Sequence, residues 1–107
     1  MPHYLIQAAY TSDAWAAQIK NPQDRAEAVR PAVEALGGKL LSFYLAFGKY
    51  DAVILAEMPD NVSAAGVSIA AAAGAAVKAV KTTPLMTVQE GMEAMRKAAQ
   101  AGYRPPS

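Results

Sequence analysis

Across its 107 residues the chain has no cysteine and only one histidine, and each shortage closes off a class of chemistry. Without thiols there is no disulfide, no thiolate nucleophile and no zinc–thiolate site, and the composition suits a reducing compartment. One histidine and scattered carboxylates are too few ligands for a metal site, so neither a metal nor another cofactor is expected. Charge of one sign is not in excess: ten basic against nine acidic residues leave +1. That balance lacks the basic surplus that steers a protein to phosphate backbones, so nucleic acid is not an expected partner. The start, Met1-Pro2-His3-Tyr4, shows no charged segment leading into an apolar one. It does not read as a signal peptide, and a cytoplasmic location is expected. Long apolar runs are missing too. Val62 to Val77 is uncharged, but it is mostly alanine and glycine, and Lys78 and Lys81 follow. It falls short of the about 20 strongly apolar residues that cross a ~30 Å hydrocarbon core. A buried helix is expected there, with no membrane partner.

What is present is apolar: 53% of the residues. So small a domain has much surface for its volume, and that fraction predicts that a second chain covers some of it. Tyr4 to Tyr10 is an aromatic and β-branched run that reads as a strand. Thr11, Ser12 and Asp13 offer oxygens to free helix amides, and the helix that follows carries Trp15 and Ile19 on one face. Asn21-Pro22-Gln23-Asp24 reads as an N-cap, a proline at the first helical position and a first-turn carboxylate. The next helix has Ala26, Val29, Val33 and Leu36 on one stripe, a kink expected at Pro31, and a left-handed cap at Gly37-Gly38.

Lys39 to Phe47 and Tyr50 to Met58 read as a hairpin joined by Gly48-Lys49 in a type II′ turn. That turn sets Leu45 opposite Ala52, Phe43 opposite Ile54 and Leu41 opposite Ala56 on one face. The other face carries Ala46 with Asp51, Tyr44 with Val53, Ser42 with Leu55, and Leu40 with Glu57. Both faces are apolar at mid-strand, whereas a sheet covered on one side normally alternates apolar and polar residues. A second sheet from an identical chain is the economical cover. Pro59-Asp60 then starts a small-residue helix whose buried stripe would be Val62, Ala65 or Gly66, Ile69 and Ala73, stopped by Gly74 and packed close on the sheet. Ala76 to Thr83 reads as a fourth strand ended by Pro84. Thr87-Val88-Gln89-Glu90 is a capping box opening a last helix to about Ala101. The order is that of an α+β, ferredoxin-like βαββαβ sandwich with an extra C-terminal helix. Residues 1–102 form one domain in this reading, and 103–107 a flexible tail.

Few residues carry chemistry. Asp51 and Glu57 share a strand face but lie about 20 Å apart at ~3.3 Å per residue, too far to act as a pair. Antiparallel pairing of the first strand with the third would bring His3 to Glu57 and Tyr10 to Asp51. His3 is the weak catalytic candidate, set against a terminal position that favours exposure. Asp51 is either a turn residue bonded to backbone amides or a ligand contact. Tyr10, Tyr44 and Tyr50 have hydroxyls that seek partners when buried, and with Asp51 they are the candidate ligand-binding set. Ser42 has no histidine beside it in register, which argues against a serine nucleophile.

Gly48, Tyr50 and Asp51 stand in the triplet for which the GYD domain family is named, and the chain resembles that family over nearly its whole length. Tyr10-Thr11, Leu36-Gly37-Gly38-Lys39-Leu40, Ser42-Phe43-Tyr44, Thr82-Thr83-Pro84-Leu85 and the terminal helix carry the likeness, with Pro31 as a departure. The resemblance implies a dimeric α/β barrel in which two four-stranded sheets face each other, and no activity. The Gly48-Lys49-Tyr50-Asp51 turn is also similar to one in the ligand-binding domain of leucine-responsive transcription regulators. From these readings we expect a homodimer that binds a small apolar or aromatic molecule. The alternatives are a cofactor-independent monooxygenase, cyclase or isomerase, and a structural dimer without ligand.

Overall fold

The computed structural model describes residues 1–106; Ser107, the last residue of the expected tail, lies outside the described residues. Strand β1 (His3–Tyr10) is followed by helices α1 (Ser12–Lys20) and α2 (Arg25–Ala35), strands β2 (Lys39–Leu45) and β3 (Ala52–Glu57), helix α3 (Asn61–Ala73), strand β4 (Val77–Leu85) and helix α4 (Val88–Gln100). The four strands form one antiparallel sheet in the order β2-β3-β1-β4, so the first strand lies between the third and the fourth. That is the ferredoxin-like arrangement, with two helices in the first crossover and one in the second. Pro84, expected to end β4, lies inside it. β4 is an edge strand, and only an edge tolerates a residue with no ladder donor.

Register in the hairpin follows the expected pairs from Leu45↔Ala52 to Ser42↔Leu55 and then shifts, so that Leu40 meets Ala56 and Lys39 meets Glu57. A bulge at Leu41 turns Leu40 away from the open face, where it was expected, and into the core. An extra residue in one strand is the simplest way to make that switch. The connection also differs from the expected type II′ turn. Gly48 is near-extended, with φ 158°, and the last ladder-like contact is Ala46 N–H donating to the Asp51 carbonyl at 2.7 Å.

The helices α2 and α3 cover the face made by Tyr4, Ile6, Ile54, Ala56 and Leu40, and with Val33, Met58, Ala64 and Val67 these form the main core. In α3 the buried residues are Ala64 and Val67, while Val62 and Ile69 are exposed. The expected stripe was therefore rotated. A helix made almost wholly of small apolar residues has no polar face to fix its phase. Leu36 and Ile19 are likewise exposed. The N-cap of α2 is Asp24, whose carboxylate accepts from the Ala26 and Glu27 amides, and Asn21 instead ends α1. α2 runs through Pro31. After it, Gly37 takes the left-handed conformation at φ 85°, and Gly38 packs so close to β3 that an added Cβ would lie 2.5 Å from the Glu57 carbonyl.

α4 begins with the expected capping box between Thr87 and Glu90. It buries no residue, and Val88, Met92 and Met95 on its apolar stripe are exposed. The radius of gyration is 17.0 Å, against about 13 Å for a compact chain of this length. The excess reflects a terminal helix that stands away from the sheet. Residues 103–106 are in neither helix nor strand.

Candidate functional site

A cavity of about 320 Å³ lies over the sheet between α2 and α3, open to solvent along its exposed alanine walls. Its floor is the inner half of the sheet, where Ile6 pairs with Ile54 and Ala8 with Ala52, so two alanines sit side by side toward the Tyr10 end. Its walls come from α2 through Ala28 and Ala32, four residues apart on one face, and from the last turns of α3 through Ala70, Ala71 and Gly74. The close helix-to-sheet packing expected along α3 holds at Ala64 and Val67. Beyond them short side chains span the gap only in part, and the space stays open. Arg25 is the one charged residue in the lining, and Tyr10 the one that carries a hydroxyl.

An outer cleft of about 580 Å³ adjoins this cavity and shares Tyr10, Arg25 and Ala76 with it. Its other lining residues include Lys20 and the amides Gln18, Asn21 and Gln23. The cleft is framed where the chain leaves β1: Thr11 N–H donates to the Ala76 carbonyl at 3.0 Å, and Thr11 caps α1 through the Ala14 amide. The Tyr10 ring is buried and meets Trp15 edge to face, with centroids 5.2 Å apart.

The expected contacts between β1 and β3 are present. Asp51 Oδ2 accepts from the Tyr10 amide at 2.9 Å, and the Asp51 amide donates to the Ala8 carbonyl at 2.8 Å. The carboxylate thus ties β3 to β1 beside the irregularity at Ala9/Tyr10. Of the two readings of Asp51, backbone support is the one the geometry displays. His3 lies opposite Glu57, with Nε2 3.3 Å from Oε1 and both side chains partly exposed. These two point to the face without helices, and His3 is five residues, or about 16 Å, along the strand from Ala8. His3 therefore lies apart from the cavity in both face and position.

The four candidate ligand contacts are not brought together. Tyr10 lines the cavity. Tyr44 is exposed on the opposite face, across from Val53. Tyr50 is half-buried in the hairpin connection, with the Lys49 ammonium 5.8 Å from its ring centroid. Sequence reasoning passed over Arg25 and the alanine walls. The signal was the i, i+4 pair Ala28/Ala32 facing another run of small residues, which leaves too little volume to fill a core. Among the described residues no group of three or more His, Cys, Asp or Glu is placed to hold a metal ion. No helix there is long and apolar enough to cross a membrane.

A four-stranded antiparallel sheet with one helix-covered and one open face, and a small apolar cavity under the helices, defines an α+β domain of the ferredoxin-like class. The family model of the GYD domain matches residues 4–95, and the chain belongs to that family. No curated protein matches it in sequence. Among solved structures, it is similar to MtbAldR, with TM-score 0.57, 13% identity, and coverage of 80% of this chain and 53% of that one. The chain thus spans about half the length of MtbAldR. It is also similar to TTHA0845 from Thermus thermophilus, with TM-score 0.54, 17% identity, and coverage of 82% and 96%. At such identities the likeness is one of fold.

Proposed function

We propose that the protein is a homodimeric small-molecule-binding protein, each subunit holding its ligand in the cavity beneath α2 and α3. The observation that carries this reading is the cavity itself: about 320 Å³, walled by alanines and supplied with one guanidinium and one hydroxyl. Small-molecule sites have this composition, mostly apolar with a few polar groups to fix orientation, at volumes from about 300 Å³ upward. The dimer rests on the open sheet face, where Leu5, Val53 and Leu55 are only half-buried and Tyr44 is exposed. Two such sheets packed face to face make the dimeric α/β barrel that the family resemblance implies. A cytoplasmic location and a single domain over residues 1–102 belong to the same proposal.

Native mass spectrometry of protein taken directly from its source cells tests both parts. The expected result is a dimer carrying one small molecule per chain, lost in an Ala71→Trp variant that fills the cavity. A ligand-free dimer from several growth conditions would sink the binding reading and leave a structural dimer. The second reading, a cofactor-independent enzyme, is favoured by one observation, the His3–Glu57 pair at 3.3 Å. Its substrate would sit between the two sheets, on the face that pair shares. Replacing His3 should then abolish turnover while leaving binding intact.

A further inference from the structure

The cavity and the cleft differ in chemistry although they meet at Tyr10, Arg25 and Ala76. Inside, the lining is aliphatic and aromatic apart from Arg25 and Tyr10. Outside, two cations, Lys20 and Arg25, stand with Gln18, Asn21 and Gln23, all of which can donate hydrogen bonds. No aspartate or glutamate lines either space, although the whole chain is nearly neutral. Of the acids on neighbouring elements, Asp13 of α1 and Glu34 of α2 line neither space, and three others have partners of their own. Asp24 accepts from the first amides of α2, Glu27 pairs with Arg30 at 3.2 Å, and Asp51 holds the Tyr10 amide. A guanidinium at the join between an apolar hole and a polar vestibule, with no carboxylate to neutralise it, complements a molecule with one apolar end and one negative end.

We propose that this site takes an amphipathic anion, its apolar body in the inner cavity and its carboxylate or phosphate in the outer cleft against Arg25 and Lys20. The inference rests on the reading that the inner cavity binds a small molecule, and it adds the class of that molecule. Arg25 fixes the head group because it borders both spaces. Lys20 is exposed and contributes attraction that salt screens. The volume limits the apolar part to a short chain or a single small ring system.

Trp15 provides the readout. It is the only tryptophan and meets edge to face the ring of Tyr10, which lines both spaces. Its emission is followed in the full-length protein titrated with octanoate, octyl phosphate and octanol, with calorimetry as a second measurement. The expected result is that one or both anions bind roughly tenfold or more tightly than octanol, and which one does so identifies the head group. Arg25→Gln should remove the preference for the anions over octanol, while Arg25→Lys keeps part of it. Ala71→Trp should abolish all three. Octanol binding as tightly as both anions, or a preference that survives in Arg25→Gln, would overturn the anion assignment and leave the cavity reading intact. Binding of none of the three would overturn this proposal, while the ligand content of protein from source cells decides the cavity reading separately.

Discussion

On the helix-covered face of the sheet Tyr4, Ile6, Ile54 and Ala56 are buried, while alternate residues of the same strands, Leu5, Val53 and Leu55, stay half-buried on the other. The open face carries His3, Gln7, Glu57 and Lys81 among its apolar residues, but composition alone did not put both helix layers on the other side. Connectivity did. Both crossovers, through α1–α2 and through α3, pass over one side, as two like-handed crossovers to strands on either side of β1 must. The open face is left with an unmet hydrophobic demand, and the covered face is met only in part, because the alanine-rich turns of α2 and α3 cannot fill the space over Ala8 and Ala52. On the proposed reading one face meets a copy of the chain and the other a small molecule.

The contrast is broken most forcefully on the covered side. Met58 is fully buried, and Met58→Ala should cost about 4 kcal/mol through lost transfer energy and the hole left behind. Chemical denaturation would show a lower midpoint with an unchanged slope. A loss under 1 kcal/mol would mean that the core tolerates collapse there, and that packing around Gly38 is looser than it looks.

On the open side the effect should fall on association. Leu55→Lys puts a charge at the centre of the expected sheet-to-sheet contact, where an unpaired buried charge costs about 3 kcal/mol. Sedimentation should show protomers at concentrations where the unaltered protein is dimeric, with the circular dichroism spectrum unchanged. If the variant remains a dimer, the chains meet elsewhere, and the exposed stripe of α4 becomes the surface to test.

The pairing of β1 with β3 was legible because topology leaves few options: once the strand order is recognised, His3 must meet Glu57 and Tyr10 must approach Asp51. Hairpin register was legible from Leu45 back to Ser42 for the same reason. It failed at Leu41, since a bulge reflects what Leu40 gains from the core and leaves no mark in local alternation. The phase of α3 was hidden by uniform composition. The cavity was less visible still. It is the volume between two helices and a sheet, and only the coincidence of Ala28 and Ala32 with Ala70, Ala71 and Gly74 hints at it. Hence Tyr10 could be named as a ligand contact from its hydroxyl, whereas nothing in the sequence singled out Arg25.

A smaller effect concerns the backbone beside the cavity. Ala75 is the only non-glycine among the described residues with positive φ, at 63°, where a Cβ crowds the following carbonyl oxygen. Gly74 next to it stays right-handed. Ala75→Gly should therefore stabilise by about 0.5–1 kcal/mol, relief of the clash being partly offset by the greater freedom of glycine in the unfolded chain. A thermal midpoint that falls would mean that the Ala75 side chain makes contacts worth more than the strain.

The smallest effect separates a helix that packs from one that does not. Asp60 is held below its ordinary pKa chiefly by accepting from the Ser63 amide at 2.7 Å at the start of α3, and Glu90 by accepting from the Thr87 amide at 2.9 Å at the start of α4. A carboxylate lowered in the folded state contributes stability that is complete above its unfolded pKa and lost as pH falls through the folded value. Acidification from pH 6 toward pH 3 should therefore loosen both helix starts. In α3 the burial of Ala64 and Val67 still holds the helix on the sheet after its cap is protonated, whereas α4 has no buried residue to hold it. Protection factors for amide exchange, which allow for the slower intrinsic exchange in acid, should drop at Gly91 and Met92 before they drop at Ala64 and Ala65. The reverse order, or an α4 as resistant as α3 at dimer-forming concentrations, would mean that a second chain lies on Val88, Met92 and Met95, and that the terminal helix belongs to the interface rather than to solvent.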